Sequence, residues 1–188
     1  MLQQRKELNF EGQNIYVGID VHLKSWAVSI FTETIQHKRI TQPPVPAILV
    51  NYLHKNFPGA TYYSAYEAGF SGFWIHYELT SMGINNIVVN PADVPTSQKE
   101  EIYKDDLVDS RKIAKSLRAG ILDCIYIPSE ESLQDRSLVR TRSIIVRELI
   151  RIKLRIKSFL YFYGIEYPPE FSSHHKHWSN SFMKWLRE

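Results

Sequence analysis

Four carboxylates stand where divalent cations could be shared. Asp20 closes the apolar run IYVGID, Glu67 closes TYYSAYE, and Asp106 and Asp109 lie three apart in KDDLVDSRKIAKSL. An acid at the end of a buried strand opposes folding unless something offsets its charge. Two acids three apart on a helix share a face, and each disfavours ionisation of the other unless a cation intervenes. Hard oxygen ligands of this kind hold Mg²⁺ while leaving it several waters. Two such ions ~4 Å apart clamp the attacking and leaving oxygens of an in-line displacement at phosphorus. The chemistry this serves is cleavage or transfer of a polynucleotide strand. Each acid alone has a plainer reading. Asp20 could cap the turn that follows it, and Asp106 and Asp109 could simply complement the dipole at a helix start. Their joint occurrence favours the metal site, and Ala68-Gly69 after Glu67 leaves room for a close approach.

The elements that must position these acids read as follows. Residues 15–21 form a strand-length apolar run, residues 25–31 alternate Trp26, Val28 and Ile30 with smaller residues, and residues 35–40 look like a third strand in a meander. After Pro43, Pro44 and Pro46, AILVNYLHKNF has helical spacing and stops at Pro58-Gly59. TYYSAYEA, GFWIHYELTSMG and INNIVVN then read as strand, helix and strand, which implies a parallel, right-handed crossover. Residues 90–104 read as a loop, DLVDSRKIAKSLRAG as a helix capped by Gly120, and LDCIYIP as a last strand that buries Cys124. A long helix is predicted from about Ser132 to Tyr163. Leu138, Ile145, Leu149, Ile152, Ile156, Phe159 and Tyr163 recur on it at heptad-like spacing. The fold class expected is α/β, a mixed sheet flanked by helices and followed by this coiled-coil-like basic helix.

The 188 residues suffice for one α/β domain and an appendage. We divide them into a domain over 1–130, the basic helix over 131–165 and a mobile tail over 166–188, rich in His and Trp. The net charge of +3 is mild, but Arg136 to Lys157 holds eight Lys or Arg against one acid, Glu148. That face could dock, dimerise or contact phosphate. With a single cysteine no intrachain disulfide can form, and no apolar window reaches the ~20 residues of a membrane span. A soluble, cytoplasmic protein is expected. The aromatic set Tyr62, Tyr63, Tyr66, Phe70, Phe73, Trp74 and Tyr77 is expected mainly in the core, with an exposed member available to stack on a base.

Through GIDVHLK, YEAG, the Asn90-Pro91 step and KDDLVDSRKIA, residues 15–163 resemble the N-terminal region of IS110 family transposases, the DEDD type with a RuvC-like domain of ribonuclease H fold. Lys104, Asp106, Asp109, Lys112 and Ala114 fall at the spacing of the family's K-T-D-x-x-D-A-x-x-(I/L)-A. Asp105 stands where Thr is usual, which leaves Asp105 or Asp106 as the ligand, and Ser110 replaces Ala. The resemblance implies that Asp20, Glu67, Asp106 and Asp109 are catalytic and bind Mg²⁺ or Mn²⁺. It implies DNA as partner, with an element-encoded guide RNA, and makes the basic helix the family's coiled coil; the heptad-like spacing itself is read as forming a homo-oligomer. We assign nucleic-acid contact to Lys104, Lys112, Arg140, Arg147, Arg151 and Arg155. His22 could touch a phosphate or be a surface residue. The family's serine-containing C-terminal domain is expected to be absent, so that the chain alone would not complete recombination.

A stand-alone junction resolvase of the RuvC type would use the same acids, and a non-catalytic nucleic-acid-binding module would merely solvate them. An actin-like sugar kinase also opens with G-I-D, but Val21-His22-Leu23-Lys24 supplies no glycine for a phosphate-binding hairpin.

Overall fold

The computed structural model describes residues 9–95 and 106–188, except for the side chains of Asp106 and Leu107. Lys104 and Asp105 lie outside the described residues. The chain divides into two compact units, residues 1–127 and 128–188.

The first unit is built on five strands, β1 (Asn14–Val21), β2 (Trp26–Phe31), β3 (Gln36–Gln42), β4 (Thr61–Glu67) and β5 (Asn85–Val89), in the spatial order β3-β2-β1-β4-β5. β1 to β3 form the expected antiparallel meander, and β1, β4 and β5 run parallel. This is the mixed sheet anticipated from the sequence. Its parallel part follows from the strand-helix-strand order, since a parallel neighbour needs a crossover.

Helices cover both faces. Ile15, Val17 and Ile19 of β1, with Trp26, Val28 and Ile30 of β2, share one buried cluster with Leu49 and Leu53 of α1 (Pro46–Asn56) and Ile75 and Leu79 of α2 (Trp74–Ser81). Pro46 starts α1 where its missing N–H costs nothing. Gly83 follows α2 with a positive φ, in the left-handed region that other residues adopt only with strain. The opposite face receives α3 (Asp106–Arg118), whose Ile113 packs with Ala65 of β4 and Val89 of β5. Because side chains alternate along a strand, Gly18 and Asp20 share this second face, as do Ala65 and Glu67.

Three expectations need correction. The segment 122–127 is not a strand: it makes one antiparallel bridge, Val89 to Cys124, with Ile125 N–H donating to Val88 O at 2.9 Å. Cys124 is exposed rather than buried, because Leu122, Ile125 and Ile127 are the residues of this segment that pack on the apolar clusters. Of the aromatic set, Tyr62 and Tyr66 are buried, but Phe70 and Trp74 are 71% and 45% exposed.

The second unit begins with α4 (Glu130–Phe162), 33 residues long. Ser129 starts it, and its Oγ accepts from Ser132 N–H at 3.2 Å, which satisfies one of the backbone donors left open at a helix N-terminus. No residue of α4 is buried. Leu138, Ile145, Leu149, Ile152, Phe159 and Tyr163 along the heptad-like seam are all exposed. Residues 166–188, expected to be a mobile tail, carry two 3-10 turns and α5 (Asn180–Trp185). Phe182 is fully buried there among Tyr167, Phe171, His177 and Trp185, so aromatic packing organises the segment. Among the described residues no helix is long and apolar enough to cross a membrane.

Candidate active site

Register places the two strand acids side by side. Ile19 pairs with Tyr66 across β1 and β4, so Asp20 and Glu67 are the next residues on neighbouring parallel strands and end on the same sheet edge. Their shared parity with Gly18 and Ala65 turns both toward α3.

α3 reaches them because nothing stands in its way at Gly18. A Cβ on Gly18 would lie 2.1 Å from Ser110 O and 2.4 Å from Ala114 N, so the helix backbone rests directly on β1. Ser110 and Ala114, one helical turn apart and both buried, supply the narrow face that allows this approach. Ser110 Oγ and Ser29 Oγ of β2 are hydrogen-bonded at 2.9 Å within the contact. Asp109 is the residue before Ser110, and this packing holds it over the sheet. From the sequence alone Ser110 is only a departure from a motif, and Gly18 has no role. The readable signal is the pair of small residues four apart on one helix beside a glycine inside an apolar strand.

The carboxylates sense one another. Burial, and after it the charges of Asp20 and Asp109, raise the Glu67 carboxyl above its ordinary value, and Lys112 opposes them. Basic side chains sit on the other two acids. Lys112 Nζ is 2.6 Å from Asp109 Oδ1, and His22 Nε2 is 3.1 Å from Asp20 Oδ2. The Lys112 side chain is only 13% exposed, so its pairing is better shielded from solvent than that of a surface lysine. Behind Glu67, burial raises the Tyr66 phenol far above its usual range, so it stays protonated and donates to Gly72 O at 3.1 Å, tying down the turn that carries Phe70.

The structure therefore brings together Asp20, Glu67, Asp109, Lys112 and His22. The side chain of Asp106, the fourth expected ligand, lies outside the described residues. Among the described residues no three His, Cys, Asp or Glu are grouped closely enough to hold a metal ion. The donor chemistry nevertheless fits a hard divalent cation: three carboxylates and no sulfur, with Glu67 reluctant to ionise beside its neighbours. Arg140, Arg147, Arg151 and Arg155 belong to the second unit, where all four are exposed on α4 and Arg151 pairs with Glu148.

Known proteins resemble this chain in sequence and in fold. The chain is 26% identical over 181 residues to the transposase for insertion sequence element IS1533 of Leptospira borgpetersenii, a match covering 93% of this chain and 50% of that protein. It spans half or less of the length of the curated relatives it matches. Two solved chains, Thermus thermophilus RuvC alone and T. thermophilus RuvC in complex with a Holliday junction substrate, align over 59% of this chain and 99% of theirs. Their identities are 13% and 14% and their TM-scores 0.43 and 0.42. Residues 17–165 match the IS110-type DEDD transposase family, described simply as transposase, and the chain belongs to that family.

Proposed function

We propose that this chain is the N-terminal, metal-binding portion of a DNA transposase of an insertion sequence. In this reading Asp20, Glu67, Asp106 and Asp109 hold Mg²⁺ or Mn²⁺. The observation that supports it is the placement of Asp20 and Glu67 at adjacent strand ends that face the helix carrying Asp109, where burial, and after it the charges of Asp20 and Asp109, raise the proton affinity of Glu67. Bound divalent ions would supply Lewis acidity at a phosphodiester and stabilise the leaving oxygen. Glu67, made reluctant to ionise, gains most from a cation. Lys112 offsets Asp109 and, with Lys104, lies next to the acids in sequence to meet phosphate.

The exposed apolar seam of α4 serves self-association, and Arg140, Arg147, Arg151 and Arg155 contact nucleic acid, either DNA or an element-encoded guide RNA. The protein would act in the cytoplasm on the DNA accessible there. The family match favours a transposase over a stand-alone junction resolvase.

The test is calorimetric titration of Mg²⁺ or Mn²⁺ into the native chain, Asp20→Asn and Asp106→Asn. Saturable binding lost in both variants is expected. Equal binding by all three chains would remove the shared site from the reading.

A further inference from the structure

Past the strand ends, on the α1/α2 side of the sheet, is a cavity of about 270 Å³ that the metal chemistry does not use; His22 lines it and reaches back to Asp20, its Nε2 3.1 Å from Asp20 Oδ2. Its walls hang from the same two strand ends: Val21, His22 and Leu23 follow Asp20, and Phe70 comes three residues after Glu67. Trp26, fully buried, contributes to the lining, and Pro44, Ser71 and Trp74 complete it. The indole rings of Trp26 and Trp74 lie 6.2 Å apart, tilted by 41°. Leu23, Phe70 and Trp74 are 78%, 71% and 45% exposed, a concentration of large apolar side chains at one rim. Water does not favour such a cluster, and it calls for an occupant.

The chemistry of the walls selects that occupant. Apart from His22 the lining carries no titratable side chain, so the cavity does not suit a phosphate or another anion. It is smaller than the ~300–1,000 Å³ of pockets that take drug-sized ligands. Flat aromatic surfaces stack on the π-face of any base, whatever the sequence. Because His22 both lines the cavity and bonds Asp20, a strand whose phosphate lay at the carboxylates could turn a neighbouring base around the strand end into this opening.

We propose that the pocket bounded by Leu23, Trp26, Pro44, Phe70 and Trp74 takes one unstacked nucleobase of the DNA strand held at the acidic site. The inference rests on the nuclease reading above for the position of the phosphate. Enzymes that draw a base out of the stack recover the unstacking cost through contacts of this kind. Capturing one base next to the scissile position would fix the strand's register over the acids without reading its sequence.

The test uses the full 188-residue chain and a short single-stranded DNA carrying one 2-aminopurine, with the same strand made abasic at that position as control. Stacking in the pocket quenches 2-aminopurine fluorescence, and the intact strand is expected to bind about tenfold more tightly than the abasic one. Phe70→Ala and Trp74→Ala should lose both the quench and the preference while keeping native circular dichroism, and Phe70→Trp should retain them. Because the Phe70 side chain is largely exposed, its removal leaves the core intact. Absence of quenching by the native chain, equal binding of the abasic strand, or unchanged quenching in both alanine variants would overturn the proposal. Asp20→Asn separates the two readings: it should lose divalent-ion binding and keep the quench. A native chain that quenches but binds no metal would sink the nuclease reading alone, and one that binds metal without quenching would sink the base pocket alone.

Discussion

Glu67 makes the most exacting prediction at the scale of single residues. Its carboxyl is raised by burial and by Asp20 and Asp109. Below its ordinary value of 4.5 it is protonated in folded and unfolded chains alike and opposes nothing. As pH rises through the elevated folded value, the native state must ionise a half-buried acid beside two others, and that share of stability is lost. Without divalent ions, Glu67→Gln should therefore melt with the native protein at about pH 4 and above it at about pH 7, where a reference carboxyl is fully ionised. Adding Mg²⁺ should raise the native melting temperature and leave that of the variant nearly unchanged. A variant that melts lower than the native chain at neutral pH without metal would show that Glu67 is held by bonds rather than strained by charge. Gly18→Ala tests the neighbouring contact. Its methyl would meet the backbone of Ser110 and Ala114, so α3 must move, at a cost of about 1–3 kcal/mol or more in denaturant unfolding. The acids are legible in the sequence because a charge at the end of an apolar run is conspicuous. Gly18 is not, because its meaning lies in what lands on it from Ser110 and Ala114, far along the chain, and local pattern carries no such information.

At the scale of elements, α3 is the part on which the site depends, and a buried hydroxyl pair pins it. Ser110→Ala strands the Ser29 hydroxyl in the interior, which costs about 1–3 kcal/mol, whereas replacing both serines by Ala should cost much less than the sum of the two single changes. A double-mutant cycle in urea measures this coupling, and strict additivity would mean that the pair contributes nothing to the seating of α3. The strands and helices themselves are largely readable, since apolar runs bounded by Pro and Gly mark β1, β4, β5, α1 and α2. Segment 122–127 misleads because LDCIYIP has the composition of a strand. What it lacks is a partner beyond one bridge, for only Ile125 and Ile127 find apolar contact with the main core while Asp123, Cys124 and Tyr126 stay in water. Composition reports what a segment could pair as, and the neighbouring edge decides whether it does.

At the scale of the whole molecule, the two units differ in how they meet water. The first closes a core on both faces of its sheet, while α4 leaves its heptad-like seam in solvent. A helix this long, with Leu149 and Ile152 about half exposed, should associate with a second copy. Analytical ultracentrifugation should find a dimer that Leu149→Glu with Ile152→Glu converts to monomer, with the melting of the first unit unchanged. A chain that is monomeric at every concentration would remove self-association from the role of α4. The helix also has a length. With a rise of about 1.5 Å per residue it extends roughly 50 Å. That is close to the rise of roughly fifteen base-pair steps of duplex DNA. Whatever grips its first turn and whatever grips its last are thereby set about one and a half turns of double helix apart, and α4 becomes a ruler as well as a seam.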